Sequence, residues 1–228
     1  MEISPDAIVY WQSGVVKLNA TILFTWIVMA LLVVGSWLVT RRLTSDVHPE
    51  RGQNALEAVV EMVQNQIREI SREESYRYLP FIGTLFLFIV VSNVLSIVPG
   101  FQAPTASLST TTALAMCVFV AVPLFGVSAQ GLRSYLKQYT QPSPIMLPFN
   151  IIGEISRTLA LAVRLYGNMM SGAMIVAILL VILPLFFPII MQLLGLLTGV
   201  IQAYIFAVLA MVYIASAAQM QQRKGSEE

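Results

Sequence analysis

Charge is missing from three long stretches of this 228-residue chain. No Asp, Glu, Lys or Arg occurs from Leu18 to Thr40, from Tyr78 to Leu132, or from Leu165 to Gln222. A helix needs about 20 apolar residues to cross the hydrocarbon core of a bilayer. The first stretch therefore fits one crossing, and each of the other two fits a pair of crossings joined by a turn. Composition agrees, with 57% hydrophobic and 11% charged residues, against about 25% charged in soluble domains. The expected fold is an all-α integral membrane protein with five transmembrane helices, at about 18–40, 79–98, 110–130, 148–183 and 189–219, in a single membrane domain covering 1–228.

The charged interval from Thr44 to Arg77 carries a different signal. Leu56, Val59, Val60, Val63, Ile67 and Ile70 recur at helical spacing on one stripe. Glu57, Glu61, Arg68, Glu69 and Arg72 rule out a crossing. An amphipathic helix at about 54–72 is expected, lying in the plane of the membrane surface or packed on a partner. An in-plane connector and a docking site for another subunit's helix are both open at this point. Elsewhere Pro99-Gly100 ends the second crossing, and FQAPTASLST forms an uncharged loop. Arg133 and Lys137 open a polar loop with Pro142, Pro144 and Pro148, and Pro184 and Pro188 break the last apolar run into a hairpin.

Orientation follows from basic residues, which concentrate on the cytoplasmic side. With the N-terminus outside, the Arg41–Arg77 segment, the Arg133–Lys137 loop and Arg223-Lys224 all face the cytoplasm, and the outer segments keep only Lys17. The expected location is a plasma membrane, crossed several times, with N-terminus outside and C-terminus inside. The N-terminal MEISPDAIVYWQ is acidic and has no basic n-region of a signal peptide.

Several function classes fall away. A formal net charge of +1 offers no nucleic-acid footprint. Cys117 is the single cysteine, so no internal disulfide forms, and it reads as an apolar filler. His48 is the single histidine, placed among charged residues before Pro49, with no second His or Cys to complete a metal site. No P-loop and no Ser-His-Asp set is present, so the chain carries no catalytic site for a soluble substrate and calls for no cofactor.

Length constrains the last two helices further. Pro148–Leu183 is 36 residues and Ile189–Gln222 is 34, each on the order of 50 Å as a helix. The hydrocarbon core is only about 30 Å thick. Because both runs stay apolar almost throughout, they are expected to lie oblique as a long tilted antiparallel hairpin, presenting a broad side face to a neighbour.

Arg164 is the only charge between Thr158 and Gln222. A guanidinium keeps its proton, and holding one at mid-membrane costs roughly 2.5–3.5 kcal/mol on insertion scales. On a helical wheel Arg157, Asn168, Ala160 and Ser171 fall within about 40° of Arg164, with Glu154 about 80° away. Glu154 and Arg157, at i and i+3, can pair with each other. Gln202 shares a face with Gly195, Thr198, Gly199 and Phe206, where glycines allow close backbone approach and an amide offers a guanidinium a neutral acceptor. Gln192, Tyr204 and Tyr213 serve equally well as helix–helix hydrogen-bonding groups. No acid of this chain matches the depth of Arg164, so its counter-charge is expected on another chain. A voltage sensor would repeat Arg along the helix, and a secondary transporter would show inverted repeats and broken helices. A stand-alone channel or transporter and a passive scaffold are the competing classes.

RLYGNMMSG at Arg164–Gly172 and QAYIFAVLAMVY at Gln202–Tyr213 resemble the two signature regions of the a subunit of F-type ATP synthases. PFNIIGEISR ahead of the arginine and the five-crossing layout extend the resemblance over nearly the whole chain. The resemblance implies a stator subunit, non-catalytic in itself, that provides two ion half-channels and couples hydrogen ion transport to rotation of a c-ring. Partners would be the c-ring, b-type peripheral stalk subunits and membrane lipid, in a bacterial inner membrane. It makes Arg164 the arginine facing the ring carboxylate, Asn168 and Gln202 its polar neighbours, and Glu154 the acid near the cytoplasmic half-channel. One departure stands out. Many family members carry an acid and a histidine at the positions of Ala173 and Gly195, and both are absent here. The outer path then relies on water and on Ser171, Gln192, Asn93 or other polar groups, or the coupling ion is not a proton, as in sodium-associated members of a variant bacterial branch.

Overall fold

The computed structural model describes residues 9–13, 16–41, 51–70, 75–98, 100–132, 135, 146–182 and 187–219. His48, Arg72, Arg133, Lys137, Pro184 and the C-terminal Arg223-Lys224 lie outside the described residues, as do Met1–Ile8. The molecule is an all-α integral membrane protein, with one small addition ahead of the first helix. Strands β1 (Val9–Ser13) and β2 (Val16–Asn19) pair antiparallel with a register shift between Val9 and Trp11.

Six helices follow among the described residues: α1 Ala20–Thr40, α2 Arg51–Ile70, α3 Leu79–Leu95, α4 Leu108–Gln130, α5 Met146–Ile182 and α6 Phe187–Gln219. Four are long and apolar enough to cross a membrane: α1, α4, α5 and α6. The fifth apolar helix, α3, has 17 residues, which reaches the lower end of the crossing range. It stops before Val98 because the chain tightens into turns there. The amides of Ser96, Ile97 and Val98 bond the carbonyls three residues back, and a residue preceding proline avoids the helical region. Pro123 lies inside α4, where it removes one backbone donor, a loss that membrane helices tolerate when neighbours satisfy the freed carbonyl. At the end of α1 the Arg41 guanidinium sits 4.8 Å from the Trp37 ring centroid, an aromatic–basic pair of the kind found at membrane interfaces.

Helices α5 and α6 have 37 and 33 residues, about 55 and 50 Å of rod. They run antiparallel, because Arg157 meets Tyr213 while Asn168 meets Thr198. Rods of that length bury their apolar surface in a ~30 Å core only when tilted.

The core gathers around α6. Phe206, Ala210, Met211 and Ile214 are fully buried, against Ile89 of α3, Val118 of α4 and Leu161 and Leu165 of α5. Alanines at 203, 207, 210, 215 and 217 are buried along the same helix. In lipid, helices gain little from hiding apolar surface, so small residues that allow close packing take over that task. The amphipathic α2 packs Val63 and Ile67 into this core, with Val59 and Ile70 half-buried, while Glu57, Glu61, Arg68 and Glu69 remain exposed. Its apolar stripe is therefore spent in part on α3 and α6 of the same chain, through Val63 and Ile67. Val60 stays exposed.

Three side-chain hydrogen bonds fix α6 from three directions. Asn93 of α3 donates through Nδ2 to the Gly199 carbonyl at 2.8 Å, and Asn168 of α5 donates to the Thr198 carbonyl at 3.2 Å. Tyr204 donates its hydroxyl to Gln66 Oε1 of α2 at 2.5 Å. Asn93 is itself completed by Thr105, which donates to its Oδ1 at 2.9 Å from the short turn Pro104–Ala106.

Candidate functional site

The polar stripe of α5 points outward. Arg157, Arg164 and Ser171, seven residues apart, are all exposed, and Asn168 is half-buried beside them. Heptad spacing drifts by only about 20° per repeat on a straight helix, so the three share one face. Around them Ile155, Leu159, Val163 and Ile175 are exposed as well. Along the described side chains of α5 only Leu161, Ala162 and Leu165 are buried, whereas α6 buries Phe206, Ala210, Met211, Ile214 and the alanines beside them. One hairpin helix is thus held by the protein while the other is left bare along most of its length.

Arg164 has no ion pair or hydrogen bond with any described residue. The register set by Arg157 with Tyr213 and Asn168 with Thr198 places Gln202 at about the depth of Arg164. Gln202 is 6% exposed, and its Nε2 is buried without a hydrogen-bond partner among the described residues. A buried orphan donor is costly, about 1–3 kcal/mol.

Two clefts flank Arg164 along the hairpin, and Arg164 lines neither. The first, about 410 Å³, lies between α4, α5 and α6 and is lined by Asn150, Glu154, Arg157, Thr158, Tyr213 and Ser216 among others. Glu154 is half-buried there, and the Arg157 guanidinium lies 5.6 Å from the Tyr213 ring centroid, a cation–π contact. The second cleft, about 610 Å³, lies at the other end, between the Ser96–Ala106 segment, α5 and α6. Its walls include Gln102, Asn168, Ala173, Gln192 and Gly195. No titratable side chain is among its described lining residues.

The sequence-derived candidates divide between these places. Glu154 and Arg157 meet in the first cleft, and Asn168 and Gln192 meet in the second. Gln192 reaches the Ser96 and Ile97 carbonyls in long contacts of 3.4 and 3.5 Å. Ser171 lines neither cleft and donates to the Asn168 carbonyl. Asn93 also lines neither. It is 1% exposed with both ends of its amide bonded, which makes it a tie between helices. Two contributors were not anticipated. Gln102, with a buried Oε1 lacking a partner among the described residues, sits in a loop whose fold no periodicity reveals. Thr105 is invisible as a partner of Asn93 until the loop folds back over α3.

An exposed arginine on a long apolar helix, set between two separate clefts, marks this fold as a membrane protein with one charged side face. Comparison with known proteins agrees. The family model for the ATP synthase A chain matches residues 22–215. ATP synthase subunit a 2 of Acaryochloris marina is 64% identical over 222 residues, covering 97% of this chain and 95% of that protein. ATP synthase subunit a 1 of Crocosphaera subtropica is 58% identical, with 98% and 97% covered, and subunit a 1 of Chlorobaculum parvum is 57% identical, with 99% and 100% covered. The chain belongs to the ATP synthase A chain family, membrane subunits of the Fo sector of F-type ATP synthases.

Proposed function

We propose that this chain is the stator a subunit of a rotary ATP synthase, in which Arg164 couples ion flow through two half-channels to rotation of a c-ring. The observation that carries the reading is the exposed cation of α5 lying between two clefts that do not join through it. A ring carboxylate must be neutral to cross lipid, because a bare charge there is expensive. Beside Arg164 the ionised form is favoured. A carboxylate arriving there releases its ion toward one cleft and, once past, reloads from the other. The fixed cation also repels a coupling cation that would otherwise run between the clefts. Basic residues favour the cleft with Glu154 as the cytoplasmic one and the cleft with Gln192 as the outer one. The b-type stalk subunits and lipid complete the surroundings, and no covalent chemistry is assigned to this chain.

Two substitutions test the paths. Glu154→Gln removes the carboxylate from the first cleft without changing its size, so ATP-driven ion pumping slows several-fold while the subunit assembles normally. Pumping at the parent rate across the working pH range would assign Glu154 a purely structural place. Asn168→Ala removes a polar wall of the second cleft and the bond to Thr198, so transport slows without stopping. An unchanged rate removes Asn168 from the path. A purified chain that conducts ions with no other subunit present would instead favour a stand-alone channel.

A further inference from the structure

The amphipathic helix α2 reaches the neighbourhood of Gln202 by a chain of two hydrogen bonds. Tyr204 donates its hydroxyl to Gln66 Oε1 at 2.5 Å, across 138 residues of sequence, and Gln66 Nε2 donates to Glu69 Oε2 at 3.4 Å. In this arrangement the Gln66 nitrogen is turned to Glu69 on α2 and the oxygen faces the tyrosine. Gln66 and Tyr204 line the same narrow apolar seam, with Ile67, Ile82, Phe86 and Met211. The hydroxyl therefore meets an acceptor placed in an otherwise apolar contact, where an unmatched polar group is penalised.

Tyr204 and Gln202 are two residues apart, about 200° around the helix. A bond that pins Tyr204 toward α2 turns Gln202 toward the opposite side. The Asn93 and Asn168 bonds hold α6 at Gly199 and Thr198, below Gln202 in sequence, and the Tyr204 bond holds it above. The buried side chains around Phe206 hold the helix at this level by packing, and the Tyr204 bond adds the directional constraint that packing lacks.

We infer that Gln66 is a positioning residue for ion coupling: through Tyr204 it fixes the rotation of α6 and hence the direction of the Gln202 amide at the depth of Arg164. This inference rests on the ion-path reading above. It assigns α2 a part in coupling, where its sequence alone shows only a surface helix with a packed face.

The test uses the assembled ATP synthase in membrane vesicles and measures ions pumped per ATP hydrolysed, with the amount of assembled chain measured in parallel. Tyr204→Phe keeps the ring and removes the donor; Gln66→Leu keeps the bulk and removes the acceptor. Each is expected to lower the ratio between about twofold and tenfold, at parent levels of assembly. The double variant is expected to be no worse than the poorer single one, because both delete the same bond. Glu61→Gln, on the exposed face of α2, is expected to leave the ratio unchanged. A parent ratio in either single variant, additive losses in the double one, or a loss that merely tracks reduced assembly overturns the inference. Arg164→Ala in the same vesicles separates the two levels. Parent-like pumping there sinks the ion-path reading itself. Loss of pumping there, with parent-like Tyr204→Phe, overturns the role of Gln66 alone.

Discussion

Arg164→Ala is expected to abolish ATP synthesis driven by an ion gradient, with the subunit still present in the membrane. The side chain makes no bond to a described residue and projects from an exposed face, so truncation takes away little of the packing that holds α5 to α6. What it removes is the one fixed charge at that depth. A unit charge about 4 Å from a carboxylate is worth about 4 kcal/mol at an effective dielectric near 20, about a thousandfold in the ionised fraction. On the proposed coupling reading, a ring carboxylate then has no reason to release its ion between the clefts, and nothing separates the two paths electrostatically. Synthesis should fall to background in membrane vesicles, and passive ion leak should rise. Synthesis retained in the variant, with verified assembly, would contradict both the coupling role and the two-path reading.

Gly199→Val is expected to have the largest effect on stability. A Cβ at this position would meet Met169 Cε at 2.8 Å, and Asn93 Nδ2 and Cγ at 3.0 and 3.2 Å. The methionine tip can swing aside, but the asparagine cannot, because its amide is bound at one end by Thr105 and at the other by the Gly199 carbonyl itself. Pushing it away orphans a buried donor and leaves an unpaired carbonyl, at about 1–3 kcal/mol for each group, before the added branch carbons are counted. The chain should accumulate at well below parent levels in membranes, and the residual protein should melt at lower temperature. Asn93→Leu tests the same contact from the other side and should show a smaller loss. Parent-like abundance and melting for Gly199→Val would mean that α3, α5 and α6 do not approach as closely as described.

Much of this architecture can be read from local patterns. Charge-free stretches mark the helices because a charge within lipid is expensive over a whole helix length, whatever the neighbours do. The exposed stripe of Arg157, Arg164 and Ser171 follows from spacing along one straight helix, which needs no knowledge of tertiary contacts. The ties that hold the hairpin are of another kind. Asn93 with Gly199 and Gln66 with Tyr204 join residues more than 100 positions apart, and their register depends on how the Ser96–Ser107 turn folds and where α2 docks. The same dependence explains why Asn93 reads from sequence as a lining group of the outer path and sits in the structure as a saturated tie. The short β-hairpin escaped for a simpler reason: strands of five and four residues are too short for an alternating pattern to stand out.

The grip on α6 has a mechanical meaning. If a ring turns against α5, it delivers a sideways force to a helix that the molecule covers very little. That force can leave α5 through α4 and through α6, and α6 is bonded at neighbouring levels to α3 and α2. The Asn93 bond to the Gly199 carbonyl and the Tyr204 bond to Gln66 add directional resistance to rotation of the helix about its own axis, on top of its packing. In that case the inner helix would act as a keyed shaft, and load taken up on the bare face would pass to the rest of the subunit without twisting the amide that stands level with the arginine.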